Sequence, residues 1–149
     1  MRAVVTRVSR AGVAVGGEEV SRIGRGLLVL LAAETGDGKK DIDYIVDKVL
    51  HLRIFGDDQG KMNRSVLDAG GELLLVSQFT LMGDARKGRR PSYIRAGAPQ
   101  TARELYDAAV AAFLETGISC KTGVFQADMQ VESINDGPVT ILLDSRKLF

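Results

Sequence analysis

An uninterrupted apolar run, GLLVLLAA at residues 26–33, constrains the fold of this chain more than any other segment. The run from Leu27 to Ala33 is the longest apolar stretch, and it is far shorter than the roughly 20 residues of a membrane helix. An apolar run of this length between glycine and polar residues is typical of a strand that is buried on both faces, although periodicity alone does not exclude a helix. We therefore predict a buried strand here and no association with a membrane.

Three other segments also predict strands. RAVVTRV, at residues 2–8, is rich in valine, and ELLLVSQFTL, at residues 72–81, follows a pair of glycines. The Gly16-Gly17 pair separates two short extended segments and predicts a hairpin. After residue 120 the chain is expected to be extended again, with a hinge at NDGP, residues 135–138.

Two segments predict helices. Asp41 is a candidate N-cap for a first helix whose apolar positions follow helical spacing: Ile42, Ile45, Val46, Val49 and Leu50. Thr101 and Glu104 match a capping box for a second helix, and Gly117 is its expected stop. The order β-β-β-α-β-α-β-β predicts an α+β fold, with an antiparallel-rich curved sheet or β-barrel-like single domain and two helices.

Length and composition limit the class of protein. No repeat, low-complexity tract or linker divides the 149 residues, so we predict one domain that spans residues 1–149. The formal net charge of +1 excludes a strongly basic or acidic protein. The single cysteine, Cys120, excludes an internal disulfide, and the N-terminus has no apolar core of signal-peptide length, so the expected location is cytoplasmic.

The inventory of reactive side chains is small. With one histidine and one cysteine the chain cannot assemble a His/Cys zinc site, and no phosphate-binding glycine motif is present. We therefore predict neither a metal nor a cofactor. His51 is more simply a surface residue than a catalytic base, and Cys120 is more simply a packing residue than a nucleophile.

Polar residues end one of the apolar strands. The segment SQFT comprises Ser77, Gln78, Phe79 and Thr80, and strand alternation would put Gln78 and Thr80 on one face. These residues indicate either a strand that frays into solvent or a polar pocket at the strand end. No proton acceptor for the Thr80 hydroxyl is apparent, so hydrolysis at this site would need a base from elsewhere.

A basic loop and a proline-containing turn complete the candidate features. Residues 84–95 carry five cationic side chains against one acidic residue: Arg86, Lys87, Arg89, Arg90 and Arg95 against Asp84. Such a patch either binds phosphates or is a solvated loop. The segment NDGPVT, residues 135–140, is by itself best interpreted as a turn that leads into a strand.

Taken together, these segments resemble the D-aminoacyl-tRNA deacylases nearly from end to end. The resemblance follows the family's order and approximate spacing in RVSRAGVAV, IGRGLLVLL, LRIFGDDQGKMNRSV, GGELLLVSQFTL, KGRRPSY, ELYD, TGVFQADMQV and NDGPVT. SQFT and the Gly-Pro of NDGPVT are the family's two signature motifs. The chain departs from the family at Gln126, where a small residue is frequent.

The resemblance implies an activity and an assembly. The family hydrolyses the ester between a D-amino acid, or mischarged glycine, and the 3′-terminal adenosine of tRNA, and it spares L-aminoacyl-tRNA. The resemblance implies a homodimer in which SQFT of one subunit meets a cis Gly137-Pro138 bond of the other. The carbonyls of this Gly-Pro motif would accept hydrogen bonds from the substrate's amino group, and the same backbone would block an L side chain.

The resemblance also implies roles for other residues. Arg7 would help to hold the Gly-Pro motif, and Phe125 and Met129 would line the pocket of the terminal adenine. Ser77 would contribute to substrate binding, while the N–H of Phe79, with Gln78 and Thr80 nearby, would polarise the ester carbonyl. The 2′-hydroxyl of the terminal ribose would assist the reaction.

Two alternatives stay open. The chain could be a non-catalytic nucleic-acid-binding protein that uses the basic loop at residues 84–95. It could also be a hydrolase in which Thr80 is a covalent nucleophile.

Overall fold

The computed structural model describes residues 1–149 and contains eight strands, two α-helices and one short 3-10 helix. The 3-10 helix is Phe79–Met82, and the α-helices are α1 (Lys39–His51) and α2 (Pro99–Glu115). The strands are β1 (Arg2–Val15), β2 (Glu18–Ile23), β3 (Gly26–Ala32), β4 (Phe55–Gly56), β5 (Met62–Arg64), β6 (Glu72–Ser77), β7 (Cys120–Thr122) and β8 (Met129–Asp144). The α+β prediction is confirmed, and the difference from the predicted order is a small ribbon formed by β4 and β5.

The long strand β1 organises the sheet because three other strands pair with it. Its first half is antiparallel to β3, with Val5 opposite Val29, and its second half is antiparallel to β2, with Val13 opposite Ser21. The opposite edge of β1 pairs along nearly its whole length with β8. The hairpin predicted at Gly16-Gly17 is confirmed as the connection between β1 and β2.

The sheet continues beyond β3 with parallel strands. β6 pairs with β3, and β7 pairs with β6, so the sheet is mixed rather than wholly antiparallel. β3 is buried along almost its whole length, which confirms the strand predicted from its apolar run. At its start, a Cβ on Gly26 would lie 1.9 Å from the carbonyl oxygen of Glu72, so this close pairing requires glycine.

The curved sheet is nearly closed into a barrel by side-chain contacts between β2 and β7. The Ser21 hydroxyl donates to the carbonyl of Thr122 at 2.8 Å, and the Lys121 ammonium donates to the carbonyl of Arg22 at 2.6 Å. These bonds connect strands that do not share a backbone ladder. The two bonds thus attach β7, at the edge of the sheet, to β2.

Apolar side chains pack on both faces of the sheet. The larger cluster lies between the sheet and the two helices and includes Val5, Val29, Leu75, Ile45 and Phe113. The smaller cluster lies on the other face, within the curve of the sheet, and consists of Val8, Ala11, Val13, Ile23, Leu28, Leu74 and Val76. Burial on both faces explains the continuous apolar runs in β3 and β6.

The helix starts differ from the predicted ones. The N-cap of α1 is Gly38, and Asp41 lies one turn later, where its carboxylate accepts the N–H of Gly38 at 2.9 Å. The predicted capping box of Thr101 and Glu104 does not form, because α2 begins earlier, at Pro99. Proline at the first turn favours this earlier start, since its ring presets φ and its missing N–H needs no acceptor there.

Candidate functional site

A cleft of about 510 Å³ opens where the ends of β3 and β6 meet the start of α2 and the connection between β7 and β8. Its walls are mostly apolar. The lining residues include Leu31, Ala33, Val76, Ser77, Gln78, Phe79, Ala96, Gly97, Pro99, Ala102, Tyr106, Phe125, Gln126, Asp128 and Met129. The sheet therefore delivers three residues of SQFT to the same cavity as Phe125 and Met129.

The SQFT segment is a strand end followed by a helical turn. β6 ends at Ser77, Gln78 precedes the 3-10 helix, and Phe79 begins it. The predicted alternation of Gln78 and Thr80 on one strand face is therefore wrong, because the chain leaves the strand between them. The N–H of Phe79 stands at the start of this turn, where backbone amides have no acceptor within the helix.

The side chains of Gln78 and Thr80 contact each other. The Gln78 amide donates a hydrogen bond to the Thr80 hydroxyl oxygen. An amide N–H is a donor and does not accept a proton, so this contact does not activate the hydroxyl. Thr80 is exposed and does not line the cleft.

The other reactive side chains are poor candidates for a base, and the one carboxylate that lines the cleft, Asp128, is exposed. Tyr106 lines the cleft, and burial raises the pKa of its hydroxyl well above the usual range while the hydroxyl donates to the carbonyl of Leu75 at 2.8 Å. His51 lies on α1 beside Asp47, 3.1 Å away, and does not line the cleft. Burial raises the pKa of the Cys120 thiol to about 11, which keeps it protonated and weakly nucleophilic. The structure has no group of three His, Cys, Asp or Glu side chains that could hold a metal ion.

Phe125 and Met129 form another part of the cleft wall. The Phe125 ring lies 5.8 Å from the Tyr106 ring, and the Arg103 guanidinium lies 5.3 Å from its centroid. The Met129 sulfur accepts a weak hydrogen bond from the N–H of Val124 at 3.4 Å. The wall therefore combines an aromatic ring and a thioether, both suited to contact with a flat apolar surface.

NDGPVT forms a bulge inside a single strand. β8 pairs with β1 on both sides of it, with Asn135 opposite Val8 and Thr140 opposite Thr6, so four residues of β8 face only Arg7. The prediction of a turn between two separate strands is therefore wrong. The side chain of Asn135 spans the bulge, since its amide donates to the Thr140 hydroxyl at 3.1 Å and its oxygen accepts the N–H of Val139 at 3.0 Å.

Arg7 supports the bulge from the neighbouring strand. Its Nε donates to the carbonyl of Asp136 at 2.8 Å, and its Nη1 donates to the carbonyl of Ile54. The Gly137–Pro138 peptide bond is cis. Gly137 has a φ of +136°, and a Cβ there would lie 2.8 Å from Arg7 Nη2 and from Val139 Cγ2. Glycine is thus required at this position by both its backbone conformation and its neighbours.

The bulge does not line the cleft of its own chain. Gly137 and Pro138 are exposed, and neither they nor Arg7 are among the residues that line the cleft. Exposure continues along β8, where two large apolar side chains, Ile134 and Leu142, are 46% and 59% exposed, whereas Val131 lines the cleft. The structure of one chain therefore brings SQFT together with Phe125 and Met129 and leaves the Gly-Pro motif on a separate, partly apolar surface.

The basic loop is less charged than its sequence indicates. Arg86 pairs with Asp84 at 2.6 Å, and the hydrogen bond from that guanidinium holds the pKa of Asp84 well below its usual range. Arg95 pairs at 2.6 Å with Glu34, which is buried. Of the five predicted cations, three form no ion pair within the chain: Lys87, Arg89 and Arg90.

One feature of the cleft escaped the sequence analysis. The segment around Ala96 attaches to the end of β3, because the N–H of Gly97 donates to the carbonyl of Ala33 at 3.0 Å, and this attachment forms one wall of the cleft. No local pattern signals such a pairing between distant residues. Gln126, which the sequence analysis named as a departure from the family, lines the cleft with a φ of +63°.

Comparison with known proteins identifies a family. Residues 4–144 match the family model described as D-Tyr-tRNA(Tyr) deacylase. A protein named D-aminoacyl-tRNA deacylase from Desulfitobacterium hafniense (strain DSM 10664 / DCB-2) is 58% identical over 149 residues, and the match covers 100% of both chains. A protein of the same name from Natranaerobius thermophilus is 59% identical over 150 residues, with the same coverage.

Two solved structures share the fold. One, titled c-Myc DNA Unwinding Element Binding Protein, has a TM-score of 0.92 and 44% identity, and the match covers 97% of this chain and 98% of that one. The other, titled as a probable eukaryotic D-amino acid tRNA deacylase, has a TM-score of 0.80 and 18% identity, and it covers 95% of this chain and 97% of that one. Neither helix of the present chain is long and apolar enough to span a membrane.

Proposed function

Because the chain belongs to the D-Tyr-tRNA(Tyr) deacylase family, we propose that it hydrolyses the ester of D-aminoacyl-tRNA and spares L-aminoacyl-tRNA. Water adds to the ester carbonyl, the carbon–oxygen bond to the terminal ribose breaks, and free tRNA and a D-amino acid leave. The observation that carries the proposal is the cleft in which the SQFT strand end faces Phe125 and Met129. The reaction would take place in the cytoplasm.

The ester carbonyl is polarised by the backbone at the start of the 3-10 helix. Charge develops on this oxygen as water attacks, and an N–H that already points at that position stabilises it without reorganisation. The N–H of Phe79 is the candidate donor, with Gln78 and Ser77 beside it in the cleft. The Gln78–Thr80 hydrogen bond would hold this turn in shape.

A pair of substitutions at Phe79 tests this role. Phe79→Pro removes the N–H at a position where a helical turn tolerates proline, and Phe79→Ala removes the ring but keeps the N–H. We expect kcat to fall by about 100-fold or more in the proline variant, as for the loss of one oxyanion donor. The alanine variant should lose substrate affinity and keep most of its kcat. An equal fall in kcat for both variants would assign the effect to the ring and contradict the role of the amide.

No catalytic base from the protein is part of this proposal. The one phenol of the cleft has a raised pKa and donates to a carbonyl, and the one carboxylate that lines the cleft, Asp128, is exposed. The 2′-hydroxyl of the terminal ribose lies next to the ester in every aminoacyl-tRNA, and in this proposal it assists the attack. A tRNA that ends in 2′-deoxyadenosine and carries a D-amino acid should therefore be a poor substrate for the intact enzyme.

Chiral selection comes from a second copy of the chain. The Gly137-Pro138 bulge is exposed and lies outside the cleft of its own chain, on a strand with exposed Ile134 and Leu142. In the proposed homodimer this bulge enters the cleft of the partner subunit, where its carbonyls accept the substrate's ammonium group. With that group and the ester fixed, the backbone of the bulge excludes an L side chain and leaves space for a D side chain. Glycine has no side chain, so its ester is also accepted.

The tRNA body is held by the unpaired cations of the basic loop. Lys87, Arg89 and Arg90 form no ion pair within the chain and lie in the loop that joins the SQFT turn to the segment beside the cleft. Cations that are free of internal partners bind phosphates without first breaking an existing pair. This loop would thus contact phosphates of the tRNA while the 3′ end enters the cleft.

The second candidate is a nucleic-acid-binding protein without catalysis, since one structural neighbour is titled as a DNA-binding protein. In that protein too, Lys87, Arg89 and Arg90 would bind the phosphates of the nucleic acid. Incubation with matched D-tyrosyl-tRNA and L-tyrosyl-tRNA separates the two candidates. Release of D-tyrosine alone is the expected result, whereas binding of both tRNAs without release of either amino acid would favour the second candidate.

A further inference from the structure

The connection between β7 and β8 carries a residue whose backbone conformation is unusual. Only two non-glycine residues in the chain have positive φ, Gln126 at 63° and Lys147 at 54°. The N–H of Ala127 donates to the carbonyl of Val124 at 3.2 Å, so Phe125 and Gln126 are the central residues of a β-turn. A positive φ at the second central position is characteristic of glycine or asparagine, and glutamine has no local hydrogen bond that favours it there.

The turn is held firmly at both ends. Before it, the N–H of Gly123 donates to the carbonyl of Leu75 at 3.0 Å and extends the pairing of β7 with β6. After it, Met129 begins β8 and its sulfur accepts the N–H of Val124 at 3.4 Å. The position of Gln126 is thus determined by the frame and not by its own side chain.

The side chain of Gln126 lines the cleft and forms no hydrogen bond within the chain. It is exposed, and its neighbours in the wall are the ring of Phe125 and the thioether of Met129. A glutamine at this position makes the turn less favourable than glycine would, and no contact within the protein compensates for the difference. The group that it presents to the cleft is a free amide, with one acceptor and two donors.

We propose that Gln126 is a specificity-determining residue that reads the terminal base of the RNA substrate through its amide, an inference that rests on the proposed function. A primary amide forms two parallel hydrogen bonds with adenine, accepting from N6 and donating to N7. The flanking ring and thioether would contact the flat face of the base, while the amide contacts its edge. Other terminal bases lack this pair of groups, so Gln126 selects RNA that ends in adenosine.

The test uses three RNA 3′ ends and two readouts. Short RNAs that end in adenosine, purine riboside (which lacks the N6 amine) or 7-deazaadenosine (which lacks N7) share all phosphates, so differences in affinity report contacts to the base alone. Tyrosylated tRNAs with the same three ends report hydrolysis. We expect the wild-type protein to bind and hydrolyse the adenosine form about tenfold better than either analogue.

Three variants separate the amide from the backbone. In Gln126→Gly, affinity for the adenosine form and its hydrolysis should fall to the level that the wild type shows with the analogues. Affinity for the analogues and their hydrolysis should not fall further. Gln126→Glu keeps the shape but has no donor for N7, so it should lose discrimination against 7-deazaadenosine. Lys147→Gly relieves the other positive φ and should leave discrimination intact. The melting temperature of Gln126→Gly should equal or exceed that of the wild type, which would exclude misfolding as the cause.

The outcomes distinguish this inference from the function on which it rests. If the wild-type protein hydrolysed D-tyrosyl-tRNA equally well with all three 3′ ends, the role of Gln126 would be overturned. The proposed deacylase activity would then still stand. Discrimination in binding without hydrolysis by the wild type would support Gln126 and overturn the deacylase. If Gln126→Gly lowered affinity and hydrolysis equally for all three RNA 3′ ends, the residue would shape the cleft without contacting the edge of the base. That result would also overturn the inference.

Discussion

At the scale of single residues, the proposed mechanism uses no acid, base or nucleophile from a side chain of the protein. It uses instead a backbone amide at Phe79, a glycine in a bulge and an amide side chain at the cleft. The sequence motifs located Ser77, Gln78, Phe79, Phe125 and Met129, and the fold brings these residues to one cleft. The bulge conformation and the exact position of Thr80 were not accessible from local patterns, because both depend on where a strand stops pairing.

Gly137 is the residue at which a single methyl group should matter most. Gly137→Ala adds a Cβ 2.8 Å from Arg7 Nη2 and Val139 Cγ2 at a φ of +136°. Overpacking of this kind costs about 1–3 kcal/mol, so we expect kcat/KM for D-tyrosyl-tRNA to fall by about 10- to 100-fold. Gly16→Ala is the matched control, because it also has positive φ but a Cβ there meets no atom within 4 Å. Comparable losses in both variants would show that the effect is a general one of backbone conformation.

Thr80 should prove dispensable for the chemical step. Thr80→Ala removes the acceptor of the Gln78 amide, a hydrogen bond worth about 1 kcal/mol, so activity should stay within about tenfold of the wild type. Loss of a true covalent nucleophile costs on the order of 10⁶-fold in kcat. The rate of D-tyrosine release by the variant decides between these magnitudes. A trapped acyl ester on Thr80 would establish the nucleophile mechanism instead.

Cys120 should respond to pH as a buried thiol. Burial raises its pKa to about 11, so the folded protein retains the proton at pH values where the unfolded chain, with a pKa near 9.0, releases it. Its contribution to stability is therefore full below about pH 9 and is lost as pH rises through about 11. Urea unfolding from pH 7 to 11 should show a decline that Cys120→Ser lacks. Rapid alkylation of the native protein at pH 8 would contradict the raised pKa.

At the scale of secondary-structure elements, the segments that sequence reasoning predicted well are those with long apolar patterns. β3, the hairpin after β1 and both helices follow from periodicity and glycine positions. The errors lie at element ends and in β8, where the chain passes from Met129 to Asp144 as one strand through a proline-containing bulge. Local turn residues predicted a turn between two extended segments there, but pairing with β1 on both sides overrides that tendency.

The basic loop gives a prediction at this scale. Replacing both Arg89 and Arg90 with glutamine should weaken tRNA binding. The salt slope, log K against log[salt], should become shallower by about 0.7–0.9 for each phosphate that the protein no longer neutralises. Turnover of bound substrate should change little, because neither residue lines the cleft. Arg86→Gln is the control, since Arg86 already pairs with Asp84. A double variant with an unchanged salt slope would show that the loop is merely solvated.

At the scale of the whole molecule, the features of the chain are divided between two surfaces. The cleft lies at one end of the sheet, and the Gly-Pro bulge lies on exposed β8. The nearly closed frame that contains β1, β3, β6 and β7 gives little freedom for the bulge to reach the cleft of its own chain. Sequence reasoning could not derive this separation from residue spacing, since it depends on how β8 pairs along β1. The proposed homodimer would bring the bulge of one copy to the cleft of the other.

Subunit complementation tests this central claim most directly. Phe79→Pro inactivates the cleft, and Gly137→Ala inactivates the bulge, so each homodimer has two defective sites. When the two variants are unfolded together, refolded and assayed with D-tyrosyl-tRNA, half of the dimers are mixed if subunits pair randomly. Each mixed dimer then contains one intact site built from the normal cleft of one subunit and the normal bulge of the other. We therefore expect recovery of about a quarter of wild-type activity. A refolded mixture no more active than the two variants assayed separately, while wild-type protein refolded in parallel hydrolyses the substrate, would contradict a site shared between subunits.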